Sequence, residues 1–286
     1  MSESAASATP EIVFYGAGSM AEAIVRGLIS TSAAKPGQIA MFNRSNAERL
    51  DFLSKQYGVV TSSAADEQDQ LLSKADIIVL AMKPKDAGAA IRRLAPLVHE
   101  RQLIVSVIAG LSIPTIQSLL GSKLPIARTM PNTSSTIGLG ATGISFSEEV
   151  TPELRSRTLS IFEAVGMVSI IPEAQMETLT GVSGSGPAYV YYMMEAMIAA
   201  GIEGGLSPEQ ARELTVQTVL GAASMMKETG EKPADLRRAI TSPNGSTQAA
   251  IEVLAQYQFT EAVKSAVHRA ASRSREMGAA IEAELS

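Results

Sequence analysis

The sequence contains no cysteine, no tryptophan and only two histidines among its 286 residues. The lack of cysteine excludes disulfides, cysteine nucleophiles, iron–sulfur clusters and thiolate zinc sites. Neither His99 nor His268 lies in a motif, so we expect no imidazole acid or base and no metal site. The net charge is −5, and no basic patch is interleaved with aromatic residues. Nucleic acid is therefore not an expected partner.

Long apolar runs are also missing from the sequence. No run approaches the roughly 20 residues that span a bilayer, so we expect no membrane-embedded segment. Residues 1–10 are rich in serine and alanine and lack the cationic and apolar regions of a signal peptide. We predict that they form a disordered tail and that the protein is cytoplasmic. The length leaves room for two domains.

Strand and helix signals alternate through the first half of the chain. Near-continuous apolar runs predict strands at residues 11–15, 38–42, 76–82, 103–108 and 126–130. Ser45 and Glu48 fit a capping box for a helix that Gly58 would end. Thr151 and Pro152 fit the start of another helix. The pattern predicts a doubly wound, parallel α/β domain of the Rossmann type over residues 11–172.

The second half, residues 173–286, contains almost no strand signal. Helices are predicted at residues 187–200, 208–228, 248–256 and 260–284. Their methionines are interpreted as core filling: Met193, Met194, Met197, Met225 and Met226. Several of these helices are nevertheless apolar on more than one face, which is typical of helices that pair across a subunit interface. We therefore expect a dimer or a larger assembly.

The first predicted strand leads directly into the G-x-G-x-x-A segment Gly16-Ala17-Gly18-Ser19-Met20-Ala21. Gly16 permits a tight turn, Gly18 lets a pyrophosphate approach the backbone, and Ala21 lets the following helix pack closely on the sheet. The free N–H groups at the start of that helix favour an anion. The segment predicts a dinucleotide site, and the alternative is an ordinary turn between strand and helix.

The second predicted strand is followed by Asn43, Arg44 and Ser45. NAD-selective sites usually have Asp or Glu here, whereas Arg44 and Ser45 can hold a 2′-phosphate. We therefore expect NADPH as the cofactor, with NADH weaker; the alternative is that Arg44 is a solvated surface residue. Later strands end at the same sheet edge and add candidate cofactor contacts at Met82, Lys83, Pro84, Ala109 and Asn132.

A polar loop at residues 241–247 precedes one of the predicted helices. Its Pro-Asn-Gly sequence is a turn signal. The hydroxyl groups of Ser242, Ser246 and Thr247, together with free amides at a helix start, could hold a small carboxylate without a cation. The alternative is plain capping of the helix by Ser246 or Thr247.

The sequence resembles the pyrroline-5-carboxylate reductase family over residues 11–278. The matching segments are residues 16–20, 43–44, 82–84, 130–133, 183–189, 233–247, 250–251 and 254. Ala239 and Ala255 depart from the pattern. The resemblance implies a Rossmann domain and an all-α domain that interlocks into a homodimer, or into a larger ring such as a homodecamer. It also implies reduction of 1-pyrroline-5-carboxylate to L-proline, the last step of proline biosynthesis, by hydride transfer from NADPH.

The resemblance implies roles for particular residues. Thr247 would form a hydrogen bond with the imine nitrogen, and the amides of Gly245 and Ser246 with Ser242 would hold the carboxylate. Two further residues match family positions near the substrate: Glu173 and Thr180. An iminium carbon is already an electrophile, so a site without histidine, cysteine or metal suits this chemistry. Activity on six-membered cyclic imines is left open.

Other readings of the sequence have weaker support. A β-hydroxyacid dehydrogenase shares the domain plan, and residues 181–186 resemble its substrate loop, but Val190 stands where that family needs a lysine proton donor. A non-catalytic NADP(H) sensor would have no use for the loop that contains Thr247. Ser183 and Ser185 do not lie in the G-x-S-x-G turn of acyl-transfer enzymes.

Overall fold

The computed structural model describes residues 10–44 and 46–285. The predicted tail therefore lies outside the described residues except for Pro10, which is buried, and Ser45 also lies outside them. The chain divides into two compact units. The first contains the described residues up to Gly184 and the final segment from Arg269, and the second is Ser185–His268. This division falls later in the chain than the predicted domain boundary at residues 172 and 173.

Within the described residues, eight strands form one sheet in the order β3-β2-β1-β4-β5-β6-β7-β8. The strands are β1 Ile12–Tyr15, β2 Ile39–Phe42, β3 Val60–Ser62, β4 Ile77–Leu80, β5 Leu103–Ser106, β6 Ile126–Met130, β7 Gly140–Phe146 and β8 Gly166–Ile170. Neighbouring strands are parallel except for β6 and β7, which are antiparallel. The predicted doubly wound sheet is confirmed, and it differs from the prediction in one antiparallel pair and in three strands that the sequence patterns do not predict, β3, β7 and β8. Because β1 pairs with both β2 and β4, the winding reverses there, which opens a crevice for a ligand.

Helices cover both faces of this sheet. In the first unit they are α1 Ser19–Ser30, α2 Ala47–Tyr57, α3 Ala65–Lys74, α4 Pro84–Leu94, α5 Ile113–Leu120, α6 Pro152–Glu163 and α7 Met176–Leu179. Side chains alternate along β1, so that Phe14 packs in one core with Ile24 of α1 and Phe162 of α6. Val13 packs in the opposite core with Ile91 of α4. Both faces are thus buried, as the continuous apolar strands predict.

The helix ends confirm some of the capping signals and correct one. Gly58 ends α2 in the left-handed conformation, with φ of 71°. Thr151 caps α6 by accepting a hydrogen bond from the Leu154 amide at 3.3 Å. The predicted capping box that begins at Ser45 is wrong, because the cap of α2 is Asn46, whose side chain accepts from the Arg49 amide at 2.9 Å. Asparagine is as good a capping residue as serine, so the helix begins one residue later.

The second unit is helical, as predicted. Its helices are α8 Gly186–Glu203, α9 Pro208–Thr229, α10 Pro233–Ala239, α11 Ser246–Gln256 and the beginning of α12 Phe259–Leu285. The end of α12 belongs to the first unit. Gly201 of α8 lies close to Ala211 of α9, where an added Cβ would be 3.2 Å from the Ala211 Cβ. The absent side chain thus lets α8 and α9 pack closely.

The helices of the second unit bury little apolar surface within the single chain. Among residues 185–268, only Ala211 and Thr215 are buried. The interpretation of the methionines as core filling is wrong for the chain by itself, because Met197 is 38% and Met225 52% exposed. Helices that are apolar on more than one face cannot all bury those faces within so small a unit. Separately, no helix in the described part of the chain has the length and apolar character needed to cross a membrane.

Candidate functional site

A cavity of about 930 Å³ lies in the first unit at the carboxyl ends of β1, β2 and β4. It brings together most of the predicted cofactor residues: Gly16, Ala17, Gly18, Ser19, Asn43, Arg44, Met82 and Lys83. Parallel sheets bind ligands at this edge, and the cavity sits where the winding reverses. The predicted contacts that do not line it are Met20, Pro84, Ala109 and Asn132. Lining the cavity supports the first group, and all of these cofactor contacts stay predictions.

Gly16 and Gly18 of the loop after β1 have different structural roles. Gly16 has φ of +123°, and a Cβ there would lie 2.5 Å from the carbonyl carbon and oxygen of Ala81. Only glycine allows the loop to approach the end of β4 this closely. A Cβ at Gly18 would meet nothing within 4 Å, because this glycine opens toward the cavity. Gly18 is the cap residue of α1 and makes no side-chain cap bond, so the helix start can receive the pyrophosphate of a dinucleotide.

An ion-pair network that the sequence patterns do not predict holds this loop. Arg49 of α2 donates from Nε to the Ala17 carbonyl oxygen at 3.1 Å and forms an ion pair with Glu22 in the first turn of α1. The Tyr57 hydroxyl donates to Glu22 at 2.8 Å. Burial raises the pKa of Glu22, but the hydrogen bonds from Arg49 and Tyr57 lower it more, so this pKa lies below its ordinary value. The cation thereby offsets the carboxylate beside the start of α1, where the sequence predicts an anion.

Arg44 lies in the segment that follows β2, which forms one wall of the cavity. Its Nη1 contacts Asp86 Oδ1 of α4 at 3.1 Å, and its side chain is 83% exposed. Lys83 and Lys85 line the same cavity. Position 43 carries an asparagine, so no carboxylate follows β2 directly. The alternative that Arg44 is a solvated surface residue is compatible with its exposure, but its position on the cavity supports a contact with the cofactor.

The predicted contacts after β5 and β6 have different surroundings. Ala109 is partly exposed at the carboxyl end of β5. The Asn132 side chain is buried; it donates to the Ser183 carbonyl oxygen at 3.1 Å and accepts from the Ala141 amide at 3.2 Å. Through these two bonds Asn132 joins three segments of the first unit. A further bond to a cofactor would have to use its remaining donor or acceptor capacity.

Glu173 and Thr180, predicted near the substrate, have partners within the first unit. Glu173 accepts from Arg128 at 3.1 Å and from the Ile113 amide, at the start of α5, at 2.7 Å. Arg128 also donates to Glu177 at 2.6 Å, and its side chain is only 6% exposed. Thr180 donates to the Met176 carbonyl oxygen at 2.9 Å. Both side chains therefore have structural bonds, and their contact with a substrate stays a prediction.

The polar loop at residues 241–247 lies in the second unit and precedes α11. Asn244 has φ of 58°, and a Cβ at Gly245 would collide with the Ser242 hydroxyl and lie 3.1 Å from the Ser242 carbonyl oxygen. Gly245 is itself the cap residue and makes no side-chain cap bond. The alternative that Ser246 or Thr247 caps the helix is therefore wrong, because α11 begins at Ser246. The first-turn amides are left without a side-chain cap and can receive an anion.

The glycine loop at residues 16–21, the cavity beside it and the doubly wound sheet together define a dinucleotide-binding protein with a Rossmann domain. A family model described as "NADP oxidoreductase coenzyme F420-dependent" matches residues 11–110, and one described as "Pyrroline-5-carboxylate reductase dimerisation" matches residues 173–277. Pyrroline-5-carboxylate reductase 1 of Bacillus spizizenii is 42% identical over 95% of this chain and 91% of its own. The chain belongs to the pyrroline-5-carboxylate reductase family.

Solved structures of the same family resemble this one over nearly the whole chain. A pyrroline-5-carboxylate reductase from Coxiella burnetii superimposes with a TM-score of 0.86 at 39% identity, covering 94% of this chain and 98% of its own. A pyrroline carboxylate reductase from Plasmodium falciparum, solved with NADP bound, has a TM-score of 0.84 at 30% identity, with the same coverage of both chains. The fold that the resemblance implies is thus confirmed.

Proposed function

We propose that this protein reduces 1-pyrroline-5-carboxylate to L-proline with a hydride from NAD(P)H, the last step of proline biosynthesis. The observation that carries the proposal is the cavity beside Gly16 and Gly18, whose lining residues and uncapped helix start suit a dinucleotide. The names of the relatives support the choice of substrate.

The chemistry makes modest demands on the protein. A bound reduced nicotinamide supplies the hydride, and the protonated C=N carbon is already electrophilic, so orientation can provide much of the rate. The first-turn amides of α1 hold the pyrophosphate. In the second unit, the amides of Gly245 and Ser246 with the Ser242 hydroxyl hold the substrate carboxylate. The Thr247 hydroxyl oxygen accepts a hydrogen bond from the protonated imine nitrogen and so orients the ring.

NADPH is proposed as the preferred cofactor, with NADH weaker. The support is the pairing of an exposed Arg44 with an asparagine, not an acid, at position 43. A guanidinium makes strong, directed hydrogen bonds to phosphate, and the cationic groups of Lys83 and Lys85 line the same cavity. Ser45, the other predicted phosphate contact, lies outside the described residues. The predicted cytoplasmic location stays a prediction.

Self-association through the second unit is part of the proposal. Large apolar side chains are exposed there, among them Tyr192 at 78% and Leu220 at 52%, and the matching family model is described as a dimerisation domain. Covering this surface would give the helices the core that they lack in one chain. We expect light scattering to give the mass of a dimer or a larger ring, and a stable monomer would contradict this part of the proposal.

The test of the reaction follows the loss of reduced-nicotinamide absorbance with 1-pyrroline-5-carboxylate, with NADPH and NADH in parallel. We expect turnover with both cofactors, faster with NADPH, and no loss when the imine is omitted. A separate fluorescence titration measures cofactor binding. Protein that binds NADPH but gives no turnover with either cofactor would contradict the proposed reaction and favour a different imine or a sensor function.

A further inference from the structure

An acidic side chain from α4 faces the cation that is proposed to select the cofactor. Asp86 Oδ1 lies 3.1 Å from Arg44 Nη1, and both residues line the dinucleotide cavity. Asp86 is the third residue of α4, whose first residue is Pro84, so the helix carries this carboxylate on its first turn. The pair thus joins the segment after β2 to the start of α4 across one wall of the cavity.

Rossmann sites that prefer NAD hold the ribose hydroxyls with an acid at the end of the second strand. This chain has Asn43 there, and the structure brings a carboxylate to the same wall from another element. We propose that Arg44 and Asp86 form a cofactor-selectivity pair. Arg44 binds the 2′-phosphate of NADPH, and Asp86 accepts a hydrogen bond from the 2′-hydroxyl of NADH. This inference rests on the proposed function, because it assigns the two cofactors to that same site.

The unequal exposure of the two side chains supports this division of roles. The Arg44 side chain is 83% exposed and the Asp86 side chain 31%. Exposed ion pairs are weak, so a phosphate can take Arg44 from Asp86 at little cost. The carboxylate then stays on the wall and repels the phosphate, which limits the preference for NADPH. With NADH there is no such repulsion, and the same carboxylate is an acceptor for the hydroxyl.

The proposal makes opposite predictions for the two cofactors. In Asp86→Asn, we expect the Kd for NADPH to fall and the Kd for NADH to rise, each by about three- to tenfold, because a repulsive charge and a strong acceptor are lost together. In Arg44→Ala, we expect the Kd for NADPH to rise far more than the Kd for NADH. Both constants are measured by fluorescence titration without substrate, and kcat/KM is measured in parallel.

The matched control is Asp51→Asn, which makes the same change in charge. Asp51 pairs with Lys55 at 2.7 Å on α2, and neither residue lines the cavity. The ratio of the two Kd values should stay at the parent value in this variant. The gain for NADPH in Asp86→Asn should also shrink as salt is raised, because the charges are partly exposed.

Two outcomes would overturn the selectivity pair. One is a change in Kd of equal size and sign for both cofactors in Asp86→Asn, and the other is no change for either. Failure of the proposed reaction is a separate result, because the titrations contain no imine. A variant series that shifts the two Kd values in opposite directions, in protein that does not reduce 1-pyrroline-5-carboxylate, would uphold the pair and reject the proposed reaction.

Discussion

Gly278 of α12 packs directly against Gly110 of the loop that follows β5. A Cβ on Gly278 would collide with the Gly110 carbonyl oxygen and lie 3.3 Å from the carbonyl carbon. One turn further along α12, Glu282 accepts hydrogen bonds from Ser112 at 3.0 Å and from Thr115 at 2.6 Å. The end of the last helix thereby holds the loop at the carboxyl end of β5, where the sequence predicts a cofactor contact at Ala109.

We expect Gly278→Ala to lower the free energy of unfolding by about 1–3 kcal/mol, the usual cost of overpacking. Alanine normally stabilises a helix interior relative to glycine, so a loss here would have to come from the collision with Gly110. Denaturant unfolding at a fixed subunit concentration measures the effect. The control is Gly37→Ala, an exposed site where an added Cβ meets nothing within 4 Å. A Gly278→Ala protein as stable as the parent would contradict this packing.

The loop after β5 shows which structural features the sequence patterns predict and which they miss. The apolar run 103–108 predicts β5 and places the following Ala109 at the carboxyl edge of the sheet. This prediction is possible because the end of a strand is marked by consecutive residues. The partner Gly278 comes from the other end of the chain, and no periodicity reports such a contact. The strand β7 is missed for a related reason. Its residues, Gly140–Phe146, include glycines and threonine in place of a continuous apolar run, and its pairing with β6 supplies the stability.

The buried cation Arg128 gives a second prediction about stability. Its substitution in Arg128→Met leaves Glu173 and Glu177 without their ion pair, so we expect a loss of about 3–5 kcal/mol in the free energy of unfolding. The control is Arg157→Met, since Arg157 pairs at 3.2 Å with the exposed Asp76 and should contribute less than about 1 kcal/mol. Equal losses in the two variants would contradict the role of burial.

Glu173 allows its two roles to be separated. Its bonds to Arg128 and to the Ile113 amide predict that Glu173→Gln lowers the melting temperature. If the carboxylate also contacts the substrate, as the family resemblance implies, the KM for the imine rises as well. Steady-state kinetics well below the melting temperature measures that KM. A rise in KM with an unchanged melting temperature would assign Glu173 to the substrate and reject the structural role.

Glu22 predicts a dependence of stability on acid pH. Its pKa is lowered in the folded protein because its bonds to Arg49 and Tyr57 outweigh the effect of burial. The stabilising contribution is therefore complete above the unfolded pKa of about 4.3 and is lost as the pH falls through the lower, folded pKa. We expect the melting temperature of Glu22→Gln to fall less steeply below about pH 4.3 than that of the parent. Parallel curves for the two proteins would exclude Glu22 as a source of the acid sensitivity.

The residues of the candidate site also fall into two groups: those predicted from consecutive residues and those that reach the cavity from distant parts of the chain. The loop at Gly16 and Gly18 is predicted because its residues are consecutive and their spacing has one physical meaning. Arg49 and Asp86 are missed because they reach the cavity from α2 and α4, and an isolated charged residue on a helix is usually a solvated one. Glu22 carries one signal, because an acid in the first turn of a helix that is predicted to bind an anion would repel that anion unless a cation lay nearby.

Thr247 is the residue for which the proposed chemistry makes the most specific prediction. If its hydroxyl acts on the imine nitrogen only, Thr247→Ala lowers kcat/KM for 1-pyrroline-5-carboxylate by about tenfold or more, the cost of one lost hydrogen bond to a charged group. The Kd for NADPH should stay at the parent value, because the hydroxyl is assigned to the imine and Thr247 does not line the dinucleotide cavity. Thr247→Ser keeps the hydroxyl and should recover most of the turnover. Turnover that is unchanged in Thr247→Ala would remove this residue from the mechanism, and a matching rise in the Kd for NADPH would assign it to the cofactor instead.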